Sequence, residues 1–166
     1  TTRQIKLPPG RWRYLFNDRQ VIQGPASITR EVPLDEYPVF AREGALIPLK
    51  VTRAYTGFGD RDTAAFTTWL IYPGGQNQFT LWHPESHPDP ESTTVAMDAT
   101  GAILKLEFTG RHQAHRLRIH STHAPAQVKL DGRELAKEAW QYDAARETLV
   151  IQTHEYQIGR YEIAWQ

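Results

Sequence analysis

Five side chains that can bind a metal ion occur at every second position of one short segment. They are His83, Glu85, His87, Asp89 and Glu91. Two histidines and a carboxylate can form a zinc or iron site. However, three prolines hold this segment extended, so successive donors are about 7 Å apart, whereas coordination places each donor about 2 Å from the ion. We expect no metal ion and no cofactor, and we interpret residues 83–91 as a surface loop, with a metal site as the less favoured alternative.

Two closely spaced carboxylates, Asp60 and Asp62, lie within the polar, glycine-containing segment 52–63. Catalysis by two carboxyl groups needs surroundings that keep one protonated and the other ionised. Solvent around such a segment would leave both aspartates ionised, so we interpret them as turn-forming residues. The sequence also has no serine in a Gly-x-Ser-x-Gly turn, which removes the support for a serine nucleophile. We therefore expect no catalysis from this polypeptide.

Composition narrows the classes of function further. Lysine plus arginine and aspartate plus glutamate both number 19, so no net charge recruits nucleic acid or an anionic membrane surface. The apolar runs are only a few residues long, far from the roughly 20 needed to span a bilayer. Cysteine is absent, which excludes disulfide bonds. With 40% hydrophobic residues in 166, the chain can bury a sizeable core.

Short segments of alternating polar and apolar residues, separated by Gly, Pro, Asn and Asp, run through the whole chain. This pattern is typical of an antiparallel β-protein. The predicted strands are 11–16, 21–22, 26–32, 39–40, 46–47, 67–72, 78–82, 94–97, 103–108, 116–120, 127–130, 149–151 and 161–165. Residues 39–40 and 46–47 should fold about a turn at Gly44. Residues 135–139 are expected to form one helical turn at most.

The fold class is therefore all-β, arranged as two consecutive antiparallel β-sandwich domains. The polar interruption after residue 51 predicts a linker. We place the first domain at residues 1–56, the linker at 57–63 and the second domain at 64–166.

Two segments in the first half resemble a known enzyme family. Residues 7–12 read Leu-Pro-Pro-Gly-Arg-Trp, and residues 34–49 contain Pro-Val-Phe, Arg-Glu-Gly and Ile-Pro, in that order. Both resemble the region that follows the catalytic barrel in glycoside hydrolase family 31, the α-glucosidase and α-xylosidase group. Ile-Tyr-Pro-Gly at 71–74 and Val-Lys-Leu-Asp-Gly at 128–132 are looser matches to the distal C-terminal domain of that family.

The resemblance implies a non-catalytic accessory region. The catalytic aspartates of the family lie on barrel strands, in a motif that does not occur here. We expect the chain to pack on the catalytic barrel of its own parent chain and to stabilise it, the parent being a hydrolase of α-linked glucosides or xylosides. The segment 83–91 could also contact that barrel. Relatives begin the first sandwich with an earlier strand, so we expect its initial strand to be missing and an edge to be unpaired.

Arg42, Glu43 and Gly44 are the candidate residues for docking to the barrel. In one interpretation they form only a solvated turn, with Gly44 supplying a positive φ. In the other the turn contacts the barrel and Arg42 pairs with a barrel carboxylate.

An independent carbohydrate-binding module is the alternative function, because exposed aromatic rings stack on sugars. Trp82 and Trp140 lie at strand ends beside polar loops and are the candidates for binding an oligosaccharide. Trp12, Tyr14 and Phe16 share one strand face and are expected to fill the first core.

Overall fold

The computed structural model describes residues 2–34, 37–50, 66–86 and 88–165, and it confirms the all-β class. The strands are β1 (Thr2–Tyr14), β2 (Asn17–Glu31), β3 (Phe40–Arg42), β4 (Leu46–Lys50), β5 (Thr67–Ile71), β6 (Gly75–His83), β7 (Glu91–Ala99), β8 (Ile103–Gly110), β9 (His115–His120), β10 (Gln127–Leu130), β11 (Arg133–Glu134), β12 (Trp140–Asp143), β13 (Thr148–Thr153) and β14 (Arg160–Ala164). A 3-10 helix, Lys137–Ala139, supplies the predicted helical turn. No helix in the described ranges has the length and apolar character needed to cross a bilayer.

Two sheets pack face to face to form a sandwich. One has six strands in the order β11-β10-β14-β8-β7-β6, and the other has five in the order β12-β13-β9-β5-β4. Their inner faces are apolar because alternate side chains of each strand point into the core. Fully or almost fully buried side chains from both sheets meet there, among them Trp69, Ile71, Val95, Leu106, Phe108, Leu117, Ile119, Leu149, Ile151, Tyr161 and Ile163.

One pairing in the sandwich departs from the antiparallel expectation. β5 and β9 run parallel, with Thr67 opposite His115 and Ile71 opposite Ile119. Every other strand pair in the described part of the chain is antiparallel. Parallel neighbours need a long connection between them, and here the hairpins β6 to β8 provide it.

The N-terminal part forms a separate three-stranded sheet in the order β2-β1-β3. β1 and β2 make a long hairpin in which Tyr14 pairs directly with Asn17. The turn therefore lies at residues 15–16, the last two residues of the predicted strand 11–16. Because Phe16 belongs to the turn and not to the strand, its ring is 43% exposed, while Tyr14 is buried as expected.

The strands on either side of Gly44 do not fold onto each other, so that prediction was wrong. β3 pairs with β1, whereas β4 pairs with β5 of the sandwich. The physical reason is a pair of backbone hydrogen bonds, from Gly44 N to Tyr72 O at 2.7 Å and from Tyr72 N to Ala45 O at 3.0 Å. These bonds direct the chain along β5, so residues 46–50 form an edge strand of the five-stranded sheet.

β5 is buried on both of its faces. Trp69 and Ile71 point into the sandwich core, whereas Leu70 and the following Tyr72 pack with Ala41 of β3. This explains why its sequence is a continuous apolar run and does not alternate. The second face of β5 therefore joins the three-stranded sheet to the sandwich. The boundary at residue 56, the linker at 57–63 and the pair Asp60 and Asp62 lie outside the described residues, and the division into domains stays a prediction.

Candidate functional site

The turn after β3 contains the three predicted docking residues, and Gly44 is its most constrained member. Gly44 has a φ of 91°, a conformation that favours glycine. Its N–H donates to Tyr72 O, and its carbonyl accepts a hydrogen bond from Asn77 Nδ2 at 2.8 Å. A Cβ atom at this position would lie 3.0 Å from Gly74 O. The turn is thus held against the sandwich by backbone contacts on both sides of Gly44.

Glu43 and Arg42 differ in their surroundings. Glu43 Oε1 accepts a hydrogen bond from Arg11 Nη1 at 3.0 Å, and Glu43 N donates to Arg11 O at 2.8 Å. The exposed Arg42 lies over Gly10, where an added Cβ would be 2.7 Å from Arg42 Nε. Within the described part of the chain, the Arg42 guanidinium makes no hydrogen bond or ion pair. Of the three predicted residues, Arg42 alone has a charged group available to a partner.

Aromatic rings continue the surface next to Arg42. Phe40 and Arg42 flank Ala41 on β3, and alternation directs them away from the sandwich that Ala41 contacts. The ring centroids of Tyr14 and Phe40 are 5.2 Å apart, and those of Tyr14 and Phe16 are 5.5 Å apart. This face of the three-stranded sheet therefore combines apolar rings with the guanidinium groups of Arg42 and Arg30, the latter 3.8 Å from the centroid of the Tyr14 ring.

Trp82 lies near the end of β6, the edge strand of the six-stranded sheet, opposite Ser92 of β7. Its side chain is 63% exposed. The neighbouring residues Leu81 and His83 point to the inner face, where Leu81 packs on the core and His83 is buried. Trp82 therefore projects from the outer face, as a ring that binds a ligand must.

Trp140 has a different environment. It begins β12 at the far edge of the five-stranded sheet and is half-buried against the core. Lys137 Nζ lies 4.0 Å from the centroid of the Trp140 ring and covers one face. The two candidate tryptophans are on different sheets, and they do not form one common surface.

The segment 83–91 uses its polar side chains in local contacts. His83 Nε2 is 2.9 Å from Thr93 Oγ1, and Arg111 pairs with Glu85 at 3.6 Å and with Glu91 at 3.3 Å. His87 lies outside the described residues. Among the residues that are described, no group of three or more metal-binding side chains is close enough to hold an ion.

Sequence reasoning missed a groove on the outer face of the six-stranded sheet. It has a volume of about 570 Å³ and is lined by alternate polar side chains of β6, β7, β8 and β14. Gln78, Asp98, Glu107 and Arg160 are among its lining residues. The sequence signal that could have indicated this groove is the set of polar residues that alternate with the core-facing residues along these strands. We call this feature the sheet groove.

No protein-family model matches this chain, and no curated protein matches it. A dextranase of glycoside hydrolase family 31 from Flavobacterium johnsoniae, complexed with isomaltotriose, superposes on 98% of this chain with a TM-score of 0.80 and 19% identity. The chain has the fold of part of a family 31 glycoside hydrolase. The resemblance expected from the sequence is thus confirmed at the level of the fold.

Two further structures support the same likeness. The cycloalternan-forming enzyme from Listeria monocytogenes, in complex with a pentasaccharide substrate, gives a TM-score of 0.77 at 21% identity over 99% of this chain. A family 31 α-xylosidase from Xanthomonas citri gives 0.56 at 18% identity over all of it. The chain spans only 24% of the length of the dextranase and 17% of each of the other two enzymes.

Proposed function

We propose that this chain is a non-catalytic C-terminal accessory region of a family 31 α-glycoside hydrolase, and that it packs on the catalytic barrel of the same parent chain. One observation carries the proposal. The likeness covers nearly all of this chain but a quarter or less of each enzyme. Most of the length of such an enzyme, including room for a catalytic barrel, is therefore outside the shared part.

The electrostatics of three carboxylates, Glu85, Asp98 and Asp131, favour a non-catalytic role for these residues. A general acid needs surroundings that raise its pKa. The backbone N–H of Glu85 lowers the pKa of Glu85, and the Thr100 hydroxyl lowers that of Asp98. Burial raises the pKa of Asp131, but hydrogen bonds from four backbone N–H groups outweigh this effect and lower it. None of these three carboxyl groups is held protonated near neutral pH.

The proposed docking surface consists of Arg42, Phe16, Val39, Tyr37 and Leu34. Tyr37 is 79% exposed and Leu34 is 96% exposed, in the connection between β2 and β3. Large apolar side chains at this exposure are typical of a surface that contacts another domain. Arg42 is suited to pair with a carboxylate of the barrel, because a guanidinium can donate two parallel hydrogen bonds. Glu43 and Gly44 would act indirectly, by fixing the turn.

Charge reversal at Arg42 tests the docking proposal. We expect Arg42→Glu to lower the melting temperature of the longer parent chain, which includes the barrel, more than that of the 166-residue chain. Arg133→Glu is the matched control, because Arg133 is also exposed and makes no hydrogen bond or ion pair within the described ranges. Equal effects of Arg42→Glu in the longer and shorter chains would argue against docking through this surface.

A catalytic assay tests the remaining part of the proposal. We expect this chain alone to show no turnover of α-linked aryl glucosides or xylosides. Reproducible turnover that disappears on changing a single carboxylate, such as Glu107→Gln, would contradict the non-catalytic assignment.

Carbohydrate binding is a second candidate function, supported by the exposure of Trp82. An indole ring that is bare on the outer face of a sheet can stack on the apolar face of a sugar. Trp140 would first have to release Lys137 from its ring. The observation therefore favours Trp82 over Trp140.

A further inference from the structure

We propose that the sheet groove and Trp82 together bind a neutral oligosaccharide laid across the outer face of the six-stranded sheet. The proposal rests on the carbohydrate-binding alternative and not on barrel docking. The two surfaces are carried by different sheets, because the docking surface belongs to the three-stranded sheet. Either proposal can fail without the other.

Strand register places Trp82 and the groove on the same face. Trp82, Thr80 and Gln78 alternate with the inward-facing residues of β6, so they share the outer face. Trp82 is four positions after Gln78, which corresponds to about 13 Å along the strand. Thr80 lies between them, with its Oγ1 2.8 Å from Oγ1 of Thr94 on β7. A polar path therefore connects the groove to the exposed indole ring.

The depth of the groove comes from a small residue in its centre. Ala96 of β7 lies between Gln78 of β6 and Glu107 of β8 in the strand register. Its single methyl group leaves a depression between the longer polar side chains on both sides. Arg160 of β14 stands opposite Glu107 and forms the far wall.

Contacts within the protein already orient the polar groups. Arg160 Nε and Nη2 both donate to Glu107 Oε1, each at 3.1 Å. Gln76 Nε2 donates to Asp98 Oδ2 at 3.1 Å, and Asp98 Oδ1 accepts from Thr100 Oγ1. Among the residues that the structure describes, none donates a hydrogen bond to Glu107 Oε2 or to the Gln76 side-chain carbonyl oxygen, so both can accept hydrogen bonds from a ligand. Preorganised acceptors reduce the entropy lost when a ligand binds.

The balance of charge selects the class of ligand. The groove has three acidic residues, Asp98, Glu107 and Glu162, and two basic ones, Lys105 and Arg160. The resulting net charge of −1 attracts neither a polyanion nor a strong polycation. Amide, carboxylate and guanidinium groups side by side instead match the hydroxyls of a sugar, each of which can donate and accept a hydrogen bond. The distance from Gln78 to Trp82 suits a short chain of sugars better than a single sugar.

The test is a titration of this chain with isomaltotriose, maltotriose, cellotriose and glucose, followed by backbone amide shifts and tryptophan fluorescence. We expect saturable shifts in β6, β7 and β8 with at least one trisaccharide. Trp82→Ala and Gln78→Ala should each weaken that binding by about tenfold or more. Tyr37→Ala is the matched control, since Tyr37 is an aromatic residue that is 79% exposed and lies outside the six-stranded sheet, and it should leave the affinity unchanged.

Three results would overturn the proposal. They are an absence of shifts with all three trisaccharides, binding that survives both Trp82→Ala and Gln78→Ala, and equal affinity for glucose and the trisaccharides. Melting temperatures of the variants show whether each is folded, and both substituted residues are exposed on the outer face. Because the melting experiments on Arg42 are separate, a negative titration would leave barrel docking untouched.

Discussion

His115 Nε2 lies 2.6 Å from Tyr161 Oη, and this contact joins the two sheets of the sandwich inside its core. His115 belongs to β9 of the five-stranded sheet, and Tyr161 belongs to β14 of the six-stranded sheet. The ring of Phe108 stacks on His115 with centroids 4.4 Å apart. Burial in this setting disfavours the imidazolium and lowers the pKa of His115 to about 4.

Stability should therefore depend on pH between about 6.5 and 4. The unfolded chain binds a proton at His115 near its ordinary pKa of about 6.5, whereas the folded chain resists protonation until about pH 4. The contribution of His115 to the free energy of unfolding is therefore fully present above pH 6.5. The free energy of unfolding falls as the pH is lowered towards 4, by up to about 3 kcal/mol. Urea unfolding at a series of pH values measures this loss.

A histidine substitution isolates this effect from that of the carboxylates. His115→Gln should flatten the decline between pH 6.5 and 4, whatever its effect on stability at neutral pH. His123→Gln is the control, because His123 is exposed and its ring forms a hydrogen bond with the neighbouring Thr122. A decline that is as steep in His115→Gln as in the unchanged chain would show that other groups cause it.

Asp131 should be important for stability although it lies in a turn. Its carboxylate accepts hydrogen bonds from four successive backbone N–H groups, those of residues 157–160, at 2.8 to 3.0 Å. Asp131→Asn replaces one acceptor oxygen by a donor group. We expect a loss of about 1–3 kcal/mol in the free energy of unfolding.

Denaturant unfolding measures the cost of Asp131→Asn, with Asp143→Asn as the control. Asp143 also accepts backbone hydrogen bonds in a turn, but only two, from Ala145 and Arg146. A smaller cost at Asp143 is expected. Equal costs at the two positions would mean that the four-bond arrangement adds nothing.

Gly44→Ala should weaken the connection between the three-stranded sheet and the sandwich. A φ of 91° disfavours alanine, and the new Cβ would press on Gly74 O. We expect a cost of about 1–3 kcal/mol, measured by thermal or denaturant unfolding. Gly101→Ala is the matched control, since a Cβ there meets no atom within 4 Å. An equal cost at Gly101 would rule out this explanation.

Shortened chains test the predicted domain division. A chain of residues 66–166 lacks β4 and exposes the edge of β5, whereas residues 44–166 retain the pair. We expect the shorter piece to melt at a lower temperature and to self-associate, because an uncovered strand edge recruits other strands. Size-exclusion chromatography and thermal melting report both properties. A monomeric 66–166 piece that is as stable as 44–166 would support a boundary before residue 64.

Local pattern predicted most strands, because the inner and outer residues of a strand alternate whatever its partner. It did not predict partners. β4 pairs with β5, although residues 51–65 separate them in the sequence. β5 runs parallel to β9, which is more than 40 residues away. A short window of sequence contains no information about either pairing. The early part of β1 was also missed, because the two prolines near Leu7 interrupt its alternation.

For the candidate site as well, features that depend on local sequence were predictable and features that depend on strand pairing were not. Trp82 was a candidate because it lies at a strand end beside a polar loop; its side chain is 63% exposed, and its role in binding a sugar stays a prediction. The cover that Lys137 places on Trp140 depends on the 3-10 helix between them and was not predictable from spacing. The sheet groove needs four strands in a specific order, so its polar residues looked like four unrelated solvent-facing stripes in the sequence.

The joint at Gly44 is made largely of main-chain atoms, with the amide of Asn77 as an addition. Peptide groups are the same whichever side chains the chain carries. Amino acid replacements can therefore accumulate around this joint without changing the angle at which the two parts meet, provided that position 44 keeps its glycine. The arrangement of the two parts should therefore be more sensitive to replacement of the glycine at position 44 than to replacement of the polar side chains around it.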